Sequence, residues 1–213
     1  MKRVLVILLA LAATASAALY AQSRPTAGTE YRMVNPAHPV SGTKIEVVEF
    51  FNYACPHCYD FEPLLKTWLA TKPADVEFRY VPAVFNQRML PLARVYYTLE
   101  EMGLLDKLHM KAYAAIHEQG LRLDEKAVLM RWVAEQGVDA DKFHAVFDSF
   151  SVGTKAQRAA QMTRNYRVPG TPYVVVNGKY LTGPSMTLRA DGGVDANRFM
   201  QVLNGLIDMA RRG

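Results

Sequence analysis

The spacing of apolar residues changes several times along the chain. Residues 44–51, KIEVVEFF, alternate and then run apolar, as a central strand does. After residue 52 the spacing becomes helical, with Leu64, Leu65, Trp68 and Leu69 on one face. Residues 75–83, DVEFRYVPA, read as a second strand. Strand, helix, strand in that order predicts a parallel unit. Upstream, residues 22–43 are rich in Pro, Gly, Ser and Thr and hold one short strand candidate, TEYRMV.

From residue 86 to 164 the helical period dominates. Leu105, Leu108, Ala112 and Ile116 make one stripe, and Val128, Leu129, Trp132 and Val133 another. Asp124 and Asp139 stand where N-caps belong, and Gly103, Gly120 and Gly137 where helices stop. Four or five helices are expected, the last being VGTKAQRAAQMTRNY. Strand character returns in TPYVVVNGKYLTG, residues 171–183, where Asn177-Gly178 predicts a tight hairpin. A closing helix presents Phe199, Leu203, Leu206 and Ile207 on one side. The pattern predicts an α/β domain in two parts, 44–85 and 165–213, interrupted by an all-helical insertion, 86–164. Residues 18–43 form a leader and first strand.

The first 17 residues stand apart. MKRVLVILLALAATASA has two basic residues, an apolar run, and Ala15 and Ala17 spaced as A-x-A. This is the pattern of a secretory signal peptide cleaved after Ala17; an uncleaved anchor is the alternative. Either way the body of the chain lies outside the cytoplasm, where disulfides persist. The formal charge of +5 comes from scattered Lys and Arg with no dense basic run, which excludes nucleic acid as the expected partner.

Export changes the meaning of the two cysteines. Cys55 and Cys58 are the only two in 213 residues, and a bridge between them closes a tiny loop that restrains almost nothing. Zinc needs four ligands and no second pair exists, so no metal is expected. Haem attachment needs His after the second Cys, and residue 59 is Tyr. A redox pair remains. Cys55 falls at the start of a helix, with Pro56 at the first helical position, where its missing N–H costs nothing. Free amides and the positive end of the helix dipole then stabilise a Cys55 thiolate. His57 adds a donor or a positive charge. Cys58, one turn later, is expected to be more buried, which makes Cys55 the candidate nucleophile and Cys58 its resolving partner. Pro172, just before a strand, is the candidate cis-proline, with Pro169 as its competitor. Beside Cys55, the main chain of Thr171 would then pair with an extended substrate. Glu49, pointed inward six residues before Cys55, is a candidate buried acid that exchanges a proton with a thiol.

EFFNYACPHCYDFEP, TPYVVVNGKY and the helical block between them resemble the DsbA family of periplasmic thiol–disulfide oxidoreductases. The resemblance covers most of the chain after the leader. It implies a thioredoxin-like fold with a helical insertion. It implies a periplasmic monomer that needs no cofactor beyond the redox-active Cys55–Cys58 disulfide. That disulfide would be donated to reduced exported polypeptides and restored by a quinone-linked membrane oxidase of DsbB type. By position, Cys55 matches the nucleophile, Cys58 the resolving thiol, Pro172 the cis-proline and Glu49 the buried acid. Two departures carry expectations. Thr171 stands where well-known members have Val, so a hydroxyl is expected at the Cys55 sulfur. Arg79 lies where the family often pairs Lys with the buried Glu. Two other readings stay open: a disulfide isomerase or reductase of the same fold, and a non-enzymatic holdase for unfolded exported chains.

Overall fold

The structure is a computed structural model that describes residues 24–213. The expected signal peptide and its cleavage site lie outside the described residues. One mixed sheet holds β1 (Arg32–Met33), β2 (Ile45–Phe51), β3 (Val76–Pro82), β4 (Tyr173–Val176) and β5 (Tyr180–Thr182), in the order β1-β5-β4-β2-β3. Helix α1 (Pro56–Thr71) carries the chain from β2 to β3, and these two strands pair in parallel. On its other edge β2 meets β4 antiparallel, with Glu49 opposite Val174 and Phe50 opposite Tyr173. With partners on both edges and helices over both faces, β2 buries every residue except Glu46, which explains its apolar run.

Five helices stand between β3 and β4: α2 (Leu90–Glu101), α3 (Leu105–His117), α4 (Lys126–Glu135), α5 (Ala140–Phe147) and α6 (Phe150–Asn165). Helix α7 (Ala196–Arg211) closes the chain. This is the expected thioredoxin-like α/β fold carrying helices between its two halves. The core has two parts, one on each side of the sheet. On one, Val47, Val174 and Val176 pack with Phe61 and Leu65 of α1 and Leu203 of α7. On the other, Val48, Phe50 and Val175 join the inserted helices. The stripe read for α7 is the buried one: Phe199, Leu203, Leu206 and Ile207 are at most 1% exposed. Burial of each such side chain contributes about 1.5–3 kcal/mol. On α3 the buried face is rotated from the expected stripe. Leu108 and Ala112 are inside, but Leu105 and Ile116 are only partly covered, and His109 and Tyr113 go in instead.

Helix ends follow local chemistry. Asp139 caps α5 by accepting from the Lys142 amide at 3.0 Å. Asp124 does not cap α4: the cap position is Glu125, and the Asp124 carboxylate turns back to grip the Arg122 guanidinium at 2.9 and 2.6 Å. A two-pronged ion pair outcompetes a single amide for that carboxylate. The hairpin falls where expected, with φ of 50° at Asn177 and 64° at Gly178. Glycine is required there twice over, since a Cβ at 178 would sit 2.1 Å from the His38 carbonyl oxygen.

Phe51, at the end of β2, is fully buried and stands 5.2 Å from the rings of both Tyr53 and Tyr96, and 5.5 Å from His109. Phe51→Ala is expected to cost about 3–5 kcal/mol in chemical denaturation. Phe150→Ala, at a site 90% exposed, is expected to stay within about 0.5 kcal/mol. Equal effects would mean that the junction of sheet and insertion is not the packed centre.

Candidate active site

The site is built where β2 hands over to α1. Asn52, buried at the strand end, bends the chain: its side-chain oxygen accepts from the Ala54 amide at 2.8 Å and its carbonyl from the Cys55 amide at 2.9 Å. Cys55 follows as the N-cap residue of α1, in extended conformation, with Pro56 in the first turn. No side-chain oxygen caps this helix, and the Cys58 amide, which also reaches the Cys55 carbonyl at 3.1 Å, joins the His57 amide in facing the sulfur. Both cysteines are free thiols here, Cys55 half-buried and Cys58 fully buried.

Their environments push the two thiols apart. The Cys55 pKa is held down at about 5, chiefly by the hydrogen bond from the Cys58 thiol, then by the Thr171 side chain and the amides of Cys58 and His57, against the opposing effect of burial. In its thiol form, Cys55 Sγ donates to the Thr171 carbonyl at 3.3 Å. The Cys58 thiol is pushed far up, first by burial, then by its bond to Cys55 and the charges of Glu49 and Cys55. It is the Thr171 carbonyl that hydrogen-bonds the sulfur, while the Thr171 side chain adds to holding the Cys55 pKa down. The contribution of His57 comes through its amide, while its side chain is exposed and lines a groove.

Thr171–Pro172 is a cis bond and Pro169 is not in one; Asn35–Pro36 is a second cis bond that the sequence reading missed. The β4 ladder begins only at Tyr173, so the Thr171 main chain stands outside the sheet pairing beside Cys55. Next to the pair lies a groove of about 560 Å³, walled by His57, Phe61, Leu64, Pro172, Leu188 and Val194. Leu188 and Val194 are 55% and 42% exposed, apolar surface that faces solvent in the same groove as Thr171 and Pro172.

Glu49 points inward as expected, with no exposure and no protein partner for either oxygen. Burial pushes its carboxyl well up, with the charges of Glu62 and Cys55 adding to it. Arg79 is not its partner. In the β2–β3 register Arg79 stands beside Val48 and Tyr80 beside Glu49. Side chains alternate between faces, so Arg79 emerges on the opposite side and pairs with Glu46 at 2.7 Å. Sequence reasoning missed Asn52, Glu62, His109 and Tyr113. Only Asn52 carried a signal, as a turn former between strand and helix. Among the described residues no group of three or more His, Cys, Asp or Glu could hold a metal ion, and no helix is long and apolar enough to cross a membrane.

This arrangement has counterparts in known proteins. The profile of the DSBA-like thioredoxin domain matches residues 46–191. The chain is 42% identical over 207 residues to the thiol:disulfide interchange protein DsbA of Bordetella parapertussis, covering 96% of each. It is 34% identical to that of Burkholderia cepacia, covering 94% of this chain and 96% of that one. Among solved structures, Pseudomonas aeruginosa DsbA superposes with a TM-score of 0.80 at 36% identity, over 88% of this chain and 95% of that one. The oxidoreductase NmDsbA1 of Neisseria meningitidis gives 0.75 at 28% identity, over 87% and 93%. With a profile match that spans the cysteine pair, the cis-proline and the helices between them, the chain belongs to the DSBA-like thioredoxin domain family.

Proposed function

We propose that this protein, a disulfide oxidoreductase by family, works through Cys55 as nucleophile and Cys58 as resolving thiol, and forms disulfides in other polypeptides. The observation that carries this is the placement of two thiols three residues apart, Cys55 half-buried at the helix start against the cis-proline segment and Cys58 fully buried behind it, so that the Cys55 pKa is lowered and the Cys58 pKa raised. A substrate thiolate attacks Cys55 Sγ of the Cys55–Cys58 disulfide. The bonding pair leaves on Cys58, which takes a proton from Glu49, an acid kept protonated by its burial. The second substrate thiolate then attacks the substrate sulfur of the mixed disulfide. Cys55 leaves as a stable thiolate, needing no proton at neutral pH. Two electrons pass from the substrate to the enzyme.

Reduced exported polypeptides fit as substrates. The groove next to Thr171 and Pro172 is largely apolar, and the Thr171 main chain, outside the strand ladder, suits an extended segment of any sequence once a substrate replaces its contact with the Cys55 thiol. The N-terminal pattern supports a periplasmic location. A turnover leaves the enzyme reduced, so a membrane oxidase of DsbB type, linked to quinone, is the proposed electron acceptor. An isomerase would use the same pair with the substrate disulfide already formed, and a holdase would use the groove alone.

Cys58→Ala is expected to accumulate long-lived mixed disulfides with exported proteins through Cys55, detected by non-reducing electrophoresis and peptide mapping. Cys55→Ser should lose both adducts and activity. Retention of function by Cys55→Ser would identify a holdase.

In the reduced wild type, alkylation of Cys55 should titrate with a midpoint near pH 5, while Cys58 stays unlabelled until the protein unfolds. Equal labelling of both, with a midpoint at the ordinary thiol value of about 8.5, would remove the basis of the assignment.

The same shift links redox state to stability. The folded Cys55 pKa is depressed, so its contribution is full above the unfolded pKa of about 8.5 and is lost as pH falls towards 5. Allowing for solvent screening of a half-exposed sulfur, the thiolate contributes on the order of 2 kcal/mol at pH 7. The chain-entropy gain from closing so short a loop is about 2 kcal/mol in the oxidised form. The reduced protein should therefore match the oxidised one near pH 7, overtake it towards pH 8.5 and fall behind near pH 5. Paired denaturation curves with and without reductant measure this. An oxidised form that stays ahead by the same margin at every pH would contradict it.

A further inference from the structure

The chain enters α1 through one tight turn, Asn52 to Cys55, closed by the Cys55 amide donating to the Asn52 carbonyl at 2.9 Å. The central peptide of that turn joins Tyr53 to Ala54. Its N–H donates to the Asn52 side chain at 2.8 Å. Its carbonyl meets His117 Nε2 at 2.8 Å, reaching in from the last residue of α3. A carbonyl only accepts, so Nε2 carries the proton. One peptide plane therefore has both poles fixed by side chains, and one of those side chains comes from the inserted helices.

Helix α3 holds the other end of Tyr53 as well. The Tyr53 hydroxyl is 2.7 Å from His109 Nδ1, and His109 Nε2 is 3.2 Å from Glu62. His109 and His117 lie about two turns apart on the helix, and the buried Tyr53 spans the interval between them. The His117 ring is itself oriented by α1. Tyr59 stacks on it at 5.4 Å and 9°, and the Tyr59 hydroxyl donates to the neighbouring Glu118 carboxylate. Tyr113 lies 6.2 Å from the same ring. The chemistry is next door: Ala54, which follows the held peptide, is exposed, and Cys55 comes after it.

The exchange reaction gives this hydrogen bond no role of its own, yet it bears on the nucleophile. The His57 and Cys58 amides act on the Cys55 sulfur while the turn sets Cys55 at the mouth of α1. Such bonds weaken steeply with misalignment. Without His117, the Tyr53 carbonyl would be left unpaired at a half-buried place, a costly arrangement. Rotating the peptide to free it would also break the Ala54–Asn52 bond, since both groups belong to one rigid plane. The start of α1 would then loosen at the reactive residue.

We propose that His117 is a positioning residue for thiol–disulfide exchange, which holds the Tyr53 carbonyl from α3 and so fixes the turn that aims Cys55. The proposal rests on the exchange reading above and gives the inserted helix a part in it. His117 acts through the Tyr53–Ala54 peptide, and no proton or electron passes through it.

Two variants separate the hydrogen bond from the ring packing. His117→Gln keeps an N–H donor at about the same reach and loses the ring. His117→Phe keeps a ring against Tyr59 and loses the donor. The readouts are the pH midpoint of Cys55 alkylation, the redox equilibrium against glutathione at pH 7, and release of oxidised peptide in a single turnover. In His117→Phe the midpoint should rise from about 5 by about half a pH unit or more. It stays below 7, so at pH 7 the preference for the reduced enzyme should fall by the matching factor, about threefold or more. Release should slow, because Cys55 becomes a poorer leaving group. His117→Gln should stay within about twofold of the wild type in equilibrium and rate. Should the phenylalanine variant fail to fold, His117→Ala, which lacks the donor without adding bulk, takes its place with the same expectation. Wild-type values in the variant without the donor overturn the proposal. So does a glutamine variant as impaired as that one, which would make the ring packing the cause. Failure of the exchange reading itself would be seen separately, in a wild type that does not oxidise the peptide or a Cys55→Ser variant that does.

Discussion

Everything in this molecule depends on giving two chemically identical sulfurs different solvation within one helical turn. Cys55 meets a neighbouring thiol, the Thr171 side chain and the amide hydrogens at the mouth of α1. Cys58 meets the interior and a carboxylate. The first surroundings favour charge and the second oppose it. Asn52 fixes where the helix begins, and Pro56 starts it without spending an amide.

The inserted helices are part of that asymmetry rather than an appendage to the sheet. Cys58 shares its core with Phe51, Tyr53 and Tyr113, and the last of these comes from α3. Without that wall, the inward face of α1 would be wet and both thiols would titrate more alike. The groove uses a different face of the same helix, so α1 separates the open apolar groove from the packed interior.

Much of this could be read from the sequence, and the reasons differ by element. The buried strand, the hairpin at Asn177-Gly178 and the α7 stripe were legible because each is a local pattern with one dominant cause. The cysteine pair was legible because its spacing and its neighbouring proline leave few other uses. Arg79 was misassigned because only the register, not the position along the chain, tells which face a strand residue takes. Asp124 was misread because a closer cation competed for it. His109 was not seen as a partner of Glu62, because the residues lie 47 positions apart and only the packing of α3 on α1 joins them. Burial of a polar side chain inside an otherwise apolar stripe leaves no mark on periodicity.

Thr171 stands 116 positions after Cys55, yet its carbonyl lies 3.3 Å from that sulfur. A chain made from its N-terminus exposes both cysteines long before the segment that completes their surroundings exists. The first turn of α1 supplies the Cys58 thiol and the nearby amides locally, whereas the Thr171 contact closes over the sulfur only when the last strands are in place. The site is thus joined from two distant stretches of the polypeptide, and its final wall is the last to arrive.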